Sequence, residues 1–154
     1  MTANPGVRFP PPLIFLLFLL AGWGIEQVSA DFTLGLVESV RRGIALVMII
    51  AGLTLDGLAA GQMRRHNTAV EPWKGASTLL TSGIFGLTRN PIYLGFAVTY
   101  CGFAVAMDSP VALGLLVPCL FVIQRFVIRR EEAHLSAVFG AAYDDYRGKV
   151  RPWI

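Results

Sequence analysis

Residues 91–128 read PIYLGFAVTYCGFAVAMDSPVALGLLVPCLFVIQRFVI, and this stretch decides the fold. Two charge-free runs, 91–107 and 109–124, sit on either side of Asp108-Ser109-Pro110. Each run is close to the roughly 17–25 apolar residues that cross a bilayer as a helix. Neither alternates with period two, which speaks against strands. Asp, Ser and Pro together make a tight turn, so the two helices are expected to form an antiparallel hairpin.

Two further runs lie upstream. Residues 9–25 carry no charge and are dense in Leu and Phe, and residues 43–63 are broken only by Asp56. The expected architecture is all-α: a polytopic membrane protein of one domain, 1–154. Its four transmembrane helices are placed at about 11–28, 41–63, 91–107 and 110–128. A C-terminal amphipathic cytoplasmic helix is placed at about 129–147. Arg8, the run Leu13 to Ala21 and then Val28-Ser29-Ala30 resemble a cleavable signal peptide. The first run is nevertheless expected to be retained.

Composition agrees. The 154 residues are 55% hydrophobic and only 15% charged, against roughly 25% charged in a typical soluble domain. A soluble globule of this size cannot hide that much apolar surface. A disordered chain needs the opposite balance, and two cysteines make no disulfide scaffold. Cys101 and Cys119 fall mid-helix and read as small apolar packing residues. No CxxC or His/Cys spacing suggests a metal.

Charge asymmetry sets the orientation. With four crossings, one side holds Arg8, Arg64, Arg65, Lys74, Arg89, Arg129, Arg130, Arg147, Lys149 and Arg151. The other holds only Arg41 and Arg42, beside Glu26, Asp31, Glu38 and Asp108. Lys and Arg of short loops stay cytoplasmic. The 64–90 loop and both termini are therefore expected in the cytoplasm, in an inner or plasma membrane. The positive balance reads as topology and contact with anionic lipid. The charges flank membrane helices and form no run, so no nucleic-acid partner is expected.

Polar residues gather at two places on that same face. The first runs from Thr78 through Ser82-Gly83-Ile84-Phe85 to Arg89-Asn90-Pro91-Ile92-Tyr93-Leu94-Gly95. Asn90 suits an N-cap and Pro91 a first helical residue. A helix starting there, with Arg89 beside it, is either a ready site for a carboxylate or a capped helix with interfacial Arg and Tyr anchors.

The second is Arg129-Arg130-Glu131-Glu132-Ala133-His134-Leu135, running on to Phe139-Gly140, Tyr143, Tyr146 and Arg147. Leu135, Phe139, Ala142, Tyr143 and Tyr146 follow spacings of three and four, one stripe of an amphipathic helix. Glu131 continues that stripe, while Glu132 flanks it, where Arg129 is in reach at i−3. An acid on the inner stripe is costly without a partner. The helix either lies on the membrane, or Glu131 faces a bound cation or hydrogen-bonding ligand.

Asp56 is an acid within a span, either functional or paired where Gly52 and Gly57 admit a close helix. Arg125 reads as snorkelling, His66 as a loop residue, and His134 as interfacial rather than catalytic.

At these clusters the chain resembles the isoprenylcysteine carboxyl methyltransferase and phospholipid methyltransferase superfamily of integral membrane enzymes. The family pattern is a Thr/Ser-Gly-aromatic loop, then Arg-His-Pro-x-Tyr-x-Gly, then Glu-Glu-x-x-Leu-x-x-x-Phe-Gly-x-x-Tyr-x-x-Tyr. Ser82-Gly83-Ile84-Phe85, Arg89 to Gly95 and Glu131 to Tyr146 match it, over residues 64–154. Thr68 and Pro72 look like the bacterial branch.

The resemblance implies S-adenosyl-L-methionine as methyl donor, bound on the cytoplasmic face between hairpin and C-terminal helix. The matching cofactor-binding residues are Ser77, Thr78, Leu79, Leu80, Phe85, Asn90, Pro91, Ile92, Tyr93 and Glu131. Arg89 and Tyr93 are the expected catalytic residues. Arg89 would orient an anionic acceptor or the donor's carboxylate, and Tyr93 would offer an aromatic face to the sulfonium. Asn90 stands where the family has His, Phe85 where it has Tyr, and Val127 where the eukaryotic carboxyl methyltransferases carry a substrate-contacting Arg. Arg125 and Arg129 are taken as the substrate-binding substitutes.

The expected partners are the bilayer and a lipophilic or small-molecule acceptor. A phospholipid amine or a small thiol is the alternative acceptor, and a non-enzymatic scaffold or lipid-binding subunit the alternative of another class. No GxGxxG follows a strand, which excludes a soluble Rossmann methyltransferase. The sequence sets no oligomeric state.

Overall fold

The computed structural model describes residues 10–28, 32–71, 74 and 76–154. Arg8, Ser29, Ala30, Asp31 and Pro72 lie outside them. The described residues hold six α-helices and no strand. α1 is Pro11–Val28, the expected span, and α2 is Glu38–Arg65, longer than expected at both ends. α3 is Pro91–Ala106 and α4 is Pro110–Ile123. A π-type turn, Gln124–Ile128, leads into α5, Arg129–Phe139, and α6 is Ala141–Lys149.

The hairpin forms as expected. The Ser109 and Asp108 N–H groups donate to Ala104 O and Val105 O, both at 3.0 Å. Ser109 caps α4 by accepting from the Ala112 N–H, 3.0 Å. The Tyr100 hydroxyl then ties α3 to α4 through Ala112 O, 2.7 Å. α1 lies on α4 along the stripe Pro11, Phe15, Leu19 and Gly22. Phe15 meets the edges of Phe96 and Tyr100 at 5.8 and 6.3 Å. Cys119 is fully buried in this core.

α2 packs chiefly on α3, through Ala45, Gly52 and Ala59 at seven-residue steps. A Cβ on Gly52 would fall 2.6 Å from Gly95 O, and one on Gly95 would fall 2.8 Å from Gly52 O. The two backbones touch where neither helix has a side chain, the small-residue device of membrane helix pairs. Asp56 lies at this crossing with Oδ1 buried against Gly95.

Pro11–Val28, Glu38–Arg65 and the continuous run Pro110–Phe139 are long and apolar enough to cross a membrane. The apolar part of the last run stops at Ile128, before Arg129-Arg130-Glu131-Glu132. α3 is apolar but has 16 residues, about 24 Å of rise against roughly 30 Å of hydrocarbon. At the ends away from the site, polar groups satisfy one another. Asp108 pairs with Arg41 at 2.8 Å and accepts from the Leu34 N–H. Glu26 accepts from the Val111 N–H at the start of α4, 2.9 Å.

The expected single C-terminal helix, 129–147, is two. It breaks at Gly140, whose φ of 54° and ψ of −132° suit glycine alone. The bend turns α6 so that Tyr143 and Tyr146 are buried while Ala142 is exposed.

Candidate functional site

Beyond the last turn of α2 the chain folds back on itself around Thr68, which is buried. Thr68 Oγ1 accepts from the Ser77 N–H at 3.2 Å and lies 3.5 Å from Thr78 N, while the Ser77 hydroxyl donates to Asn67 O. The 3₁₀ turn Gly83–Gly86 is held to α2 by Gln62, whose amide donates to Ser82 O, 2.8 Å. Gly83 takes φ 60° there. Tyr146 of α6 donates its hydroxyl to Phe85 O at 2.6 Å. Burial pushes that phenol up to about 12, against a smaller opposing pull from Arg89, so it stays a donor.

The start of α3 is fastened by the C-terminal tail. The Arg89 N–H donates to Arg151 O, and Thr88 Oγ1 and Asn90 Nδ2 both donate to Pro152 O, at 3.2 and 2.7 Å. Trp153 Nε1 donates to Gln124 Oε1, 2.9 Å. Asn90 stands at the N-cap position of α3 and Pro91 is its first residue, as expected. Its side chain makes no cap bond, however; its Nδ2 is turned to a carbonyl of the tail.

Between these pieces lies a cavity of about 320 Å³, within the roughly 300–1,000 Å³ typical of small-molecule sites. Of the expected cofactor residues, Thr78, Leu79, Leu80, Phe85, Asn90, Pro91, Ile92, Tyr93 and Glu131 all line it, and so does Arg89. Ser77 is not in the wall and serves the loop closure just described. Arg125 and Arg129 are also off the wall and exposed, with the Arg125 guanidinium 5.7 Å from the Phe126 ring centre.

Inside the cavity two motifs join. The Tyr93 hydroxyl donates to Glu131 Oε1 at 2.7 Å. Glu132 does not pair with Arg129 as its spacing suggested. It meets Arg89 across 2.7 Å, a pair whose side chains are only 10% and 15% exposed. Arg89 also donates from Nη1 to Arg147 O, 3.0 Å. Its guanidinium thus ties α3 to α5 and α6. The wall grades in character: Pro10, Pro11, Pro12, Ile92 and Phe96 are apolar, while exposed Lys74 and Glu71 form an ion pair at 2.7 Å elsewhere on it.

Sequence reading missed the prolines of α1, Phe96 and His134 in this wall. Phe96 lies three residues after Tyr93 and His134 three after Glu131, one helical turn in each case. That spacing was the available signal. The prolines come from a distant part of the chain and had none.

Residues 40–142 match the family model described as phospholipid methyltransferase. The chain is similar to the protein-S-isoprenylcysteine O-methyltransferase of Schizosaccharomyces pombe, 35% identical over 94% of this chain and 53% of that protein. A probable protein-S-isoprenylcysteine O-methyltransferase of Oryza sativa subsp. indica is 32% identical over 70% of this chain and 57% of its own length. The rat protein-S-isoprenylcysteine O-methyltransferase is 33% identical over 68% of this chain and 38% of its own length. The chain spans about half the length of the first curated relatives it matches. No solved structure matches it.

Proposed function

This chain belongs to the phospholipid methyltransferase family, and from that premise we propose that it transfers a methyl group from S-adenosyl-L-methionine to a lipophilic acceptor. The acceptor class we infer is an isoprenylcysteine carboxylate, as the names of the relatives suggest. One observation carries the reading: Tyr93 and Glu131, 38 residues apart, are hydrogen-bonded in one cavity. A scaffold without a reaction has no need of that convergence.

The residues present fit the donor. Glu131 is a carboxylate in a largely apolar wall, and a cation is the partner that offsets its burial. Tyr93 fixes one carboxylate oxygen by hydrogen bonding and adds its ring as a surface for a sulfonium. His134 contributes a buried Nε2 with no partner in the protein. When bound, S-adenosyl-L-methionine supplies a methyl group already activated by its positive sulfur. The chain's work is then proximity and orientation. A carboxylate acceptor is already a nucleophile, so no residue has to remove a proton.

The apolar stretch Pro10–Pro12, Ile92 and Phe96 gives a lipid tail its place, and the charged stretch gives a soluble donor its approach. Arg89, tied to Glu132, holds the two helices that carry Tyr93 and Glu131 at a fixed separation. We place the cavity at the cytoplasmic face, on the positive side, with α1, α2, α3 and α4 as four crossings.

The test uses the purified protein in lipid nanodiscs with donor labelled in its methyl group. Three acceptors are offered: a farnesylated cysteine derivative with a free carboxyl, phosphatidylethanolamine, and a small thiol. A base-labile labelled ester on the first is the expected product. Label on either of the others reassigns the acceptor, as the family's description would favour for the phospholipid. No label on any acceptor overturns methyl transfer.

A further inference from the structure

The polar groups of the cavity wall are nearly all spoken for within the protein. Tyr93 is bonded to Glu131, Arg89 to Glu132, and Lys74 to Glu71. Asn90 is bonded to Pro152 O. Two side-chain nitrogens of the wall are buried without a partner: Arg89 Nε and His134 Nε2. Arg89 is already anchored through both terminal nitrogens. His134 Nε2 is anchored by nothing, and leaving a buried polar atom so is unfavourable. Such atoms in native structures call for an explanation, and an absent ligand is one.

His134 stands one turn of α5 beyond Glu131, on the side away from the membrane segment. Leu135 and the buried rings of Tyr143 and Tyr146 line the cavity with it. Such a wall offers flat apolar surface and, in His134 Nε2, a buried hydrogen-bonding atom. That suits a nucleoside, whose planar base packs on such surface and whose ring nitrogens and sugar hydroxyls can meet His134. The zwitterionic end of the donor is better served by the exposed Lys74 and Glu71.

We propose that His134 is a donor-binding residue that hydrogen-bonds through Nε2 to the nucleoside part of S-adenosyl-L-methionine. The proposal rests on the methyl-donor reading above, and it adds a division of labour. Glu131 reads the positive sulfur, whereas His134 reads the part of the ligand that is the same before and after methyl transfer.

Calorimetry on the full chain in nanodiscs tests this without any acceptor. Wild type and variants are titrated with S-adenosyl-L-methionine and with S-adenosylhomocysteine, which keeps the nucleoside and lacks the sulfonium. His134→Phe keeps a ring of similar shape and is expected to weaken both ligands alike, roughly three- to tenfold, the scale of one hydrogen bond. His134→Gln can place a polar atom near the Nε2 position and is expected to recover most of that loss. His134→Asn reaches only to the Nδ1 position and is expected not to. Should His134→Phe bind both ligands as wild type does, or Gln bind no better than Asn, the assignment is wrong. The Gln and Asn comparison decides the matter even if the Phe variant does not fold. Wild type that binds neither ligand would instead bring down the donor reading, and this proposal with it.

Discussion

Tyr93 and Glu131 are bonded hydroxyl to carboxylate across 2.7 Å, one from the first turn of α3 and the other from the first turn of α5. Nothing between them in sequence is shared except the hairpin and its continuation. Their meeting depends on the tight turn at Asp108 to Pro110, which returns the chain to the same end of the bundle. It depends also on the uninterrupted run from α4 through the π-type turn into α5. Wide turns of that kind recur at functional sites. Here the turn lies between the last apolar residues and the helix that carries Glu131.

Glu131→Gln removes the charge and keeps the shape. If Glu131 is the counter-charge for a sulfonium, affinity for S-adenosyl-L-methionine should fall roughly 10- to 100-fold, the range of a charge-assisted interaction. Affinity for S-adenosylhomocysteine should change far less. Calorimetry with both ligands measures the ratio, and far-ultraviolet circular dichroism checks that the helices persist. An unchanged preference between the two ligands would show that Glu131 does not read the charge.

Tyr93→Phe keeps the ring and deletes the bond to Glu131. The ring's own contact is retained, so the loss of donor affinity should be smaller, roughly two- to tenfold. The two residues are in contact, so their effects should not add. Tyr93→Phe introduced into Glu131→Gln should cost clearly less than it does alone. Full additivity in that double-mutant cycle would mean that Tyr93 acts without Glu131.

How far the sequence anticipates this arrangement depends on the range of the interaction. The apolar runs locate α1 to the residue and α4 closely, because lipid and core leave few places for charge in them. Asp108-Ser109-Pro110 announces the hairpin because turn chemistry is local. The pairing of Glu132 is a different case. Along a helix its nearest cation is Arg129, yet the fold brings Arg89 to it from another helix. Asn90 is half legible: it takes the N-cap position that its local preference suggests, yet its amide finds a carbonyl 62 residues away. The break at Gly140 is hidden because the apolar spacing of three and four runs straight across it. Periodicity records which residues are apolar and says nothing of a glycine's φ. His134 reads as interfacial because it falls one residue before Leu135, beside the apolar stripe, yet the cavity reaches it.

The tail gives a prediction of its own. Asn90→Asp replaces the amide donor with an acceptor facing Pro152 O, whereas Asn90→Ala only removes it. The Asp variant should therefore be the less stable of the two. Alanine should cost on the order of 1 kcal/mol, with Thr88 still bonded to the same carbonyl. Thermal unfolding of both variants in the same detergent gives the comparison. Equal melting temperatures would show that the clasp between the tail and α3 contributes little.

The crossing of α2 and α3 allows a sharper test, because it contains its own control. A Cβ on Gly52 would meet backbone at 2.6 and 2.7 Å, from Gly95 O and Thr99 N. These atoms belong to the middle of a helix and cannot swing aside, so Gly52→Ala must push the helices apart. Gly95→Ala meets Gly52 O and the Asp56 carboxyl in the same way. Gly57 and Gly61 lie on the same helix as Gly52 with nothing within 4 Å of a Cβ. In a helix interior Ala is the better residue by about 0.5–1 kcal/mol. Gly57→Ala and Gly61→Ala should thus hold or raise the melting temperature. Gly52→Ala and Gly95→Ala should lower it by several degrees, overpacking typically costing about 1–3 kcal/mol. Since α3 carries Tyr93, the two damaging variants should also weaken donor binding, although neither glycine lines the cavity. Four variants that melt together would mean that α2 and α3 do not meet backbone to backbone, and the support under Tyr93 would have to be sought elsewhere.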